Sequence, residues 1–462
     1  MKKMMLGIAL ITTVCQLQGS ISTVMNHRLI TSSPLLYKAV DYTESKLSIE
    51  FEPFFSSMFD ADHTIAHLTL NNQSSMVLDQ LGNGDMNPEW ILLAAANDND
   101  DYHSTVTFTP ELSMYGMLFH CYKQYKKFYV DLKTALLKCN NQIHLDEVGG
   151  GNGGMVSPFE AMNDEPIGNA YQAFTQNDWE YGKIGDKHSI IGFDNIQVTL
   201  GYYTDLACCK TERYNSYVSG FAVFEVPTGS GSTAEWLFEP SIGTNHWGVG
   251  FGADMSITRD CGASIFFGGD YRYIISGWET RSFDLQPNGA WSRYLGVELL
   301  ENSDLTVGYP GINIFTQDAL IDGRNQVNAY LRLQKKLEPC SIELSYNYFY
   351  NQAETISQVT DIPAGYGIFD MQGLLGGDGI TASTATINES QTEQDFPAVE
   401  LVTSDLDLVS GATGAWSSSM VTLRLARTLD FCTYGCGAAL DFAHSDAAIS
   451  TWSVWLNFEI LI

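Results

Sequence analysis

Residues 247–258 read Trp-Gly-Val-Gly-Phe-Gly-Ala-Asp-Met-Ser-Ile-Thr, and this stretch decides the fold. Trp247, Val249, Phe251, Ala253, Met255 and Ile257 fall on one parity; Gly248, Gly250, Gly252, Asp254, Ser256 and Thr258 fall on the other. Successive side chains of an extended strand point to opposite faces, so the segment predicts a strand with one apolar and one small or polar face. Segment 263–274 repeats the pattern, with Ile265, Phe267, Tyr271 and Tyr273 against Ser264, Gly268, Asp270 and Arg272. Segment 340–350 does the same, and 451–462 sets Trp452, Val454, Leu456, Phe458, Ile460 and Ile462 against Ser453, Asn457 and Glu459. Strands of soluble sandwiches usually run about five or six residues. These run ten to twelve, which at about 3.3 Å per residue and a tilt near 40° covers the roughly 25 Å apolar band of an outer membrane. Trp247, Tyr271, Tyr273, Tyr348, Tyr350 and Trp452 sit at strand ends, where bilayer interfaces favour amphipathic rings.

Outward from these segments, alternation predicts strands at 46–58, 105–119, 126–137, 182–191, 195–204, 217–226, 234–243, 247–258, 263–274, 292–300, 305–314, 326–336, 340–350, 417–427, 431–442 and 451–462. The expected fold is all-β: an antiparallel transmembrane β-barrel of about 16 strands, within a range of about 14 to 18. Connections after even-numbered strands (120–125, 192–194, 227–233, 259–262, 301–304, 337–339, 428–430) are short, whereas the long ones at 59–104, 138–181 and 351–416 follow odd-numbered strands. A barrel with short periplasmic turns, long external loops and both termini inside sorts its connections this way.

Lys2 and Lys3, the apolar run 4–14 and the small residues around 20–22 predict a secretory signal over 1–22. A periplasmic lead-in over 23–45 follows, then the barrel over 46–462. The 462-residue chain carries 54 Asp and Glu against 24 Lys and Arg, a formal charge of −30 that becomes −32 once Lys2 and Lys3 are removed. Such acidity excludes a nucleic-acid binder, which needs a basic face. With 12% aromatics, 41 glycines and 17% charged residues, the composition also excludes helical bundles and coiled coils. No apolar run of about 18 residues follows position 22, so no transmembrane helix is expected.

With signal, long alternating strands, sorted loops and a final amphipathic strand, residues 46–462 resemble a bacterial outer-membrane β-barrel of the porin type. The last strand is similar to the assembly signal of such proteins through Trp452, Phe458 and Ile460, and departs from it by closing on Ile462. Val226-Pro227-Thr228-Gly229 and Glu239-Pro240-Ser241-Ile242-Gly243 look like the turn of some barrel transporters for hydrophobic compounds. The cysteines beyond residue 22 are similar to those of major outer-membrane proteins that cross-link their envelope by disulfides.

The resemblance implies a channel in the outer membrane of a diderm bacterium, passing small hydrophilic solutes by passive diffusion, with outer-membrane lipid around it and a homotrimer as one assembly. Net acidity predicts a preference for cations. Alternation puts Asp254, Asp270, Arg272, Glu298, Arg332, Glu343, Arg424, Asp441 and Glu459 on the inward face as pore-lining candidates. Arg332 is expected beside Glu343 across a turn at Leu337-Glu338. Cys121, Cys261, Cys340 and Cys432 map to the short-turn side as disulfide candidates in an oxidising compartment. Cys436 falls on an apolar face, and the vicinal Cys208-Cys209 is not expected to bridge itself. No nucleophile elbow, P-loop, HExxH or CxxC pattern occurs, so no enzyme, no metal (His63 and His67 included) and no cofactor is expected. Two rivals remain: a barrel whose loops make it an adhesin or structural envelope protein, and a soluble secreted all-β enzyme or lectin.

Overall fold

The computed structural model describes residues 47–95, 102–150, 153–154, 167–206, 214–300, 308–370, 380–389, 392, 395, 397–429, 431–445 and 447–462. The expected signal and lead-in lie outside the described residues.

Twelve strands close into one ring: β1 (Leu47–Met58), β2 (His103–Tyr125), β3 (Phe128–Gly149), β4 (Ile196–Asp205), β5 (Tyr214–Val226), β6 (Gly248–Arg259), β7 (Ala263–Ile274), β8 (Arg324–Leu337), β9 (Cys340–Asn351), β10 (Trp416–Thr428), β11 (Cys432–Ala443) and β12 (Thr451–Leu461). Each pairs antiparallel with its chain neighbours, and β12 returns to β1 through pairs such as Phe51 with Phe458 and Phe55 with Val454. Closure leaves no strand edge in the ring. Two strands lie outside it: Ser75–Asp79 on β2 and His188–Phe193 on β3.

The period-two pattern becomes an inside and an outside. On β6, Val249, Phe251 and Ile257 point out while Gly250, Asp254 and Ser256 point in. On β12, Leu456 and Phe458 remain 50% exposed, and Ser453, Asn457 and Glu459 are buried inside. Each such outward Leu or Phe leaves on the order of 1 kcal/mol of apolar surface exposed unless lipid covers it.

The wall has 12 strands rather than about 16, because four alternating segments belong to the loop end. Segment 182–191 overlaps the outside strand His188–Phe193. Segment 234–243 makes only isolated bridges, and its adjacent Leu237 and Phe238 are both buried. Segment 292–300 is a turn of helix followed by the short strand Gly296–Leu299, with Ser292 to Glu298 buried on both parities. Within 305–314, Gly308–Pro310 precedes the one-turn helix Gly311–Ile314. A wall strand keeps one face for lipid. The last three segments are packed on both, whereas His188–Phe193 pairs with β3 outside the ring and leaves Ile191 and Phe193 exposed.

The two extra segments flanking β4 and β5 also inverted the expected direction of those strands. The end of β4 at Asp205 and the start of β5 at Tyr214 lie at the short-turn end, and 227–247 lies at the loop end, the reverse of the parity expected from sixteen strands. The two insertions cancel, so the remaining wall strands run as expected. β2 and β3 are far longer than predicted: at about 3.4 Å per residue they reach well past any membrane band, and 138–149 is strand rather than loop.

The loops do not hang free. Short sheets join the connections after β7 and β9: Gly277–Ser282 pairs with Thr316–Ile321, which pairs with Ile356–Val359, and Gly296–Leu299 pairs with Tyr366–Ile368. Helix α1 (Ala61–Leu68) buries Ile65 and Leu68. These join Trp90 of the same connection and Phe174, Trp291 and Phe315 from other loops in one apolar core, which also takes in the inward wall residues Phe54, Leu112, Met114, Leu118, Leu137, Met420 and Trp455. The loop end therefore carries a folded cap continuous with the upper barrel interior.

Candidate functional site

The barrel interior holds an apolar sector under the cap and a charged half toward the turns, and charged groups also reach the loop end along β5 to β9. In the charged half, Glu50 on β1 accepts hydrogen bonds from Arg424 Nη2 on β10 at 3.2 Å and Asn457 Nδ2 on β12 at 3.4 Å. His120 on β2 lies between two carboxylates, with Nδ1 3.3 Å from Glu50 and Nε2 2.5 Å from Asp131 on β3. Lys133 stands 3.3 Å from Asp131. Ser48 donates to Glu459 at 2.7 Å. Arg332 Nη1 lies 3.3 Å from Glu343 Oε1. The turn between their strands is Glu338-Pro339, pairing Leu337 with Cys340, so Arg332 sits opposite Ser345 and reaches Glu343 diagonally. A register shift of two residues preserves the face.

A second group lines β5 to β9. Arg272 is clamped between Glu225 at 2.5 Å and Asp270 at 2.6 Å. Asp270 also accepts from Asn328, which accepts from Asn347. Asp254 accepts from Tyr330 and, at 3.2 Å, from Ser219. The inward glycines of β6 make room for these side chains: a Cβ on Gly250 would stand 2.9 Å from Arg272 Cγ, and one on Gly252 would stand 2.4 Å from the Phe221 ring.

Eight of the nine sequence-predicted interior charges therefore face inward from the wall: Asp254, Asp270, Arg272, Arg332, Glu343, Arg424, Asp441 and Glu459. Glu298 does not. It lies in the cap strand Gly296–Leu299, where burial, then the charge of Asp370, pushes its carboxyl up to about 7. Glu50, Glu52, His120, Asp131, Lys133 and Glu225 also face inward; the signal for them is the alternation of their own segments, which sets them opposite Ile49, Phe51 and other apolar residues. Inward carboxylates (Glu50, Glu52, Glu225, Asp254, Glu343, Asp441 and Glu459 buried, Asp131 and Asp270 partly buried) outnumber the inward cations Lys133, Arg272, Arg324, Arg332 and Arg424.

Where the wall meets the cap, a buried ion network joins three loops. His246, just before β6, contacts Glu279 at 2.6 Å, and Glu279 pairs with Arg281 at 2.5 Å. Glu354, just after β9, pairs with Arg281 at 3.3 Å and with Arg324, the first residue of β8, at 3.2 Å. Burial alone would raise the Glu279 carboxyl, but Arg281 and His246 hold it down to about 2. Arg293 and Asp284 form a bidentate pair at 2.7 and 2.8 Å inside the cap.

Cys121 faces outward on β2 between Ile49 and Leu132, Cys261 sits in the β6–β7 turn, and Cys340 and Cys432 open β9 and β11. None is bonded to another described cysteine. Cys208 and Cys209 lie outside the described residues. A recess of about 450 Å³ lies where β1 ends beside β2 and β3, lined by Ser57, Met58, Glu111, Asn141 and Lys187 among others.

No protein-family model matches the chain, and no curated protein matches it. Among solved structures it is similar to an outer membrane channel from Pseudomonas putida F1, at 9% identity and a TM-score of 0.40, covering 92% of this chain and 99% of that one. It is also similar to a variant of the monoaromatic hydrocarbon channel TodX at 6% identity and a TM-score of 0.31, covering 96% and 98%. The transport unit of the autotransporter AIDA-I from Escherichia coli matches at 8% identity and a TM-score of 0.28, covering 93% and 94%. On these values the chain is similar to barrels in several groups and is assigned to no one family.

Proposed function

We propose that this chain is an outer-membrane channel for small cations or cationic hydrophilic solutes, held closed at rest by its loop-end cap. The observation that carries the reading is the closed 12-strand ring with an apolar outer belt and an interior in which buried carboxylates outnumber buried cations. Rings of inward charge set ion selectivity where water is scarce. Barrel diameter grows roughly linearly with strand number, and an open aqueous lumen belongs to walls of about 16 to 18 strands. Twelve strands with interior Arg, Glu, Tyr and Phe side chains leave a narrower path than a general porin has, so passage is restricted to small solutes and requires the cap and the ion network to shift.

The test is reconstitution of the purified chain in planar bilayers under a potassium chloride gradient. Conductance steps whose reversal potential favours potassium are expected. Chloride preference refutes the selectivity. Silence under all voltages favours the rival reading of a structural envelope protein or adhesin, for which the folded cap would be the contact surface.

A further inference from the structure

The most anomalous group in the barrel is Glu52. Its side chain is fully buried on the inner face of β1, opposite Leu118 of β2, and neither carboxylate oxygen accepts a hydrogen bond. Its strand neighbour on the same face, Glu50, holds the nearby donors: Arg424 at 3.2 Å, Asn457 at 3.4 Å and His120 at 3.3 Å. An ionised carboxylate sealed from water and without donors is costly, so the buried Glu50–Glu52 pair must share either a proton or a positive charge. Arg424 adds its charge at longer range but bonds Glu50, not Glu52.

We propose that Glu52, together with Glu50, forms a binding subsite inside the barrel for one monovalent cation or primary ammonium group. Residues two apart on a strand share a face, so the two carboxylates present hard oxygen ligands to the same volume. Arg424 already matches one of the two carboxylate charges through Glu50, which leaves a single negative charge for a singly charged occupant to offset. The transport role of this subsite rests on the channel reading above; the binding does not. A solute ammonium and a free alkali ion present the same chemistry here, and the two are separated by comparing them.

The experiment uses the full chain refolded in detergent, with thermal unfolding followed by circular dichroism in potassium, ammonium or N-methylglucamine chloride at equal ionic strength. The wild type is expected to unfold at a higher temperature in potassium or ammonium than in the bulky N-methylglucamine, with the midpoint rising at each tenfold increase in cation. Glu52→Gln is expected to abolish that dependence. A wild-type midpoint indifferent to the cation, or a dependence that survives in Glu52→Gln, overturns the subsite. Should Glu52→Gln fail to refold, infrared spectra of the wild type serve instead: a protonated carboxylic-acid band unaffected by potassium means that a proton occupies the site and overturns the proposal, and its loss on adding potassium supports it. Bilayer conductance is scored separately. Cation-dependent unfolding with silent bilayers keeps the subsite and sinks the channel, and conductance without that dependence does the reverse.

Discussion

Replacing Glu354 by glutamine removes the charge that two buried guanidiniums share. Glu354 Oε1 meets Arg324 at 3.2 Å, and Oε2 meets Arg281 at 3.3 Å and accepts the Thr413 backbone N–H at 3.1 Å. All three partners are buried, so the lost charge is not replaced by water. Removing one member of a buried ion pair costs about 3 to 5 kcal/mol. Arg281 keeps Glu279, and a glutamine oxygen still accepts one bond, which favours the low end, about 3 kcal/mol. At about 1.4 kcal/mol per tenfold, the equilibrium for local opening of the cap rises roughly 100-fold. Because Arg324 begins β8 and Glu354 follows β9, the weakened link is the one between wall and cap. Hydrogen exchange in detergent is the assay: the paired strands Gly277–Ser282, Thr316–Ile321 and Ile356–Val359 should lose protection by about that factor, while β6 and β12 keep theirs. In bilayers the same variant should spend more time open. Unchanged protection in those cap strands would refute the assignment of the network as the cap's anchor.

Glu298 makes the cap pH-dependent. Its carboxyl is raised from an ordinary value near 4.5 to about 7, so the folded cap favours the protonated form: that contribution is full below about pH 4.5 and is lost as pH rises through 7. Cap protection measured by exchange should therefore fall between those limits, and Glu298→Gln should flatten the profile. Gly252→Ala puts a methyl 2.4 Å from the Phe221 ring and 2.5 Å from the Gly269 carbonyl. A loss of about 1 to 3 kcal/mol is expected, read as a lower temperature for the shift from folded to unfolded band on gels. Asp254→Asn removes an interior charge while keeping the shape that Tyr330 and Ser219 bond, and the reversal potential should move toward chloride at unchanged folding. An unmoved potential means that Asp254 does not face the conduction path.

Much of the wall was legible because alternation is a local property. Wherever Leu, Phe and Tyr alternate with Ser, Asn and Glu over ten or more residues, as in 263–274, 340–350 and 451–462, the backbone is extended and its two faces meet different surroundings. The inward charges followed from the same parity, and for that reason Arg332 and Glu343 share a face even though the turn between them lies one residue further on than expected. Segments such as 292–300 alternate as convincingly, yet Ser292 to Glu298 are buried on every side. Alternation reports that one face is apolar; it does not say whether lipid or another loop covers it.

The sequence by itself therefore determined the extended backbone of the twelve wall strands, their inner and outer faces and the acidic interior. Tertiary structure decided how many strands close the ring, which direction β4 and β5 run, and that the loops fold into a cap. It also decided which charges meet. Glu50 and Arg424 are 374 residues apart and come within 3.2 Å only because β12 returns to β1 and brings β10 close across the narrow interior. Which charge finds a partner, and why Glu52 accepts no hydrogen bond, depends on ring closure, a property of all twelve strands together that no single strand encodes.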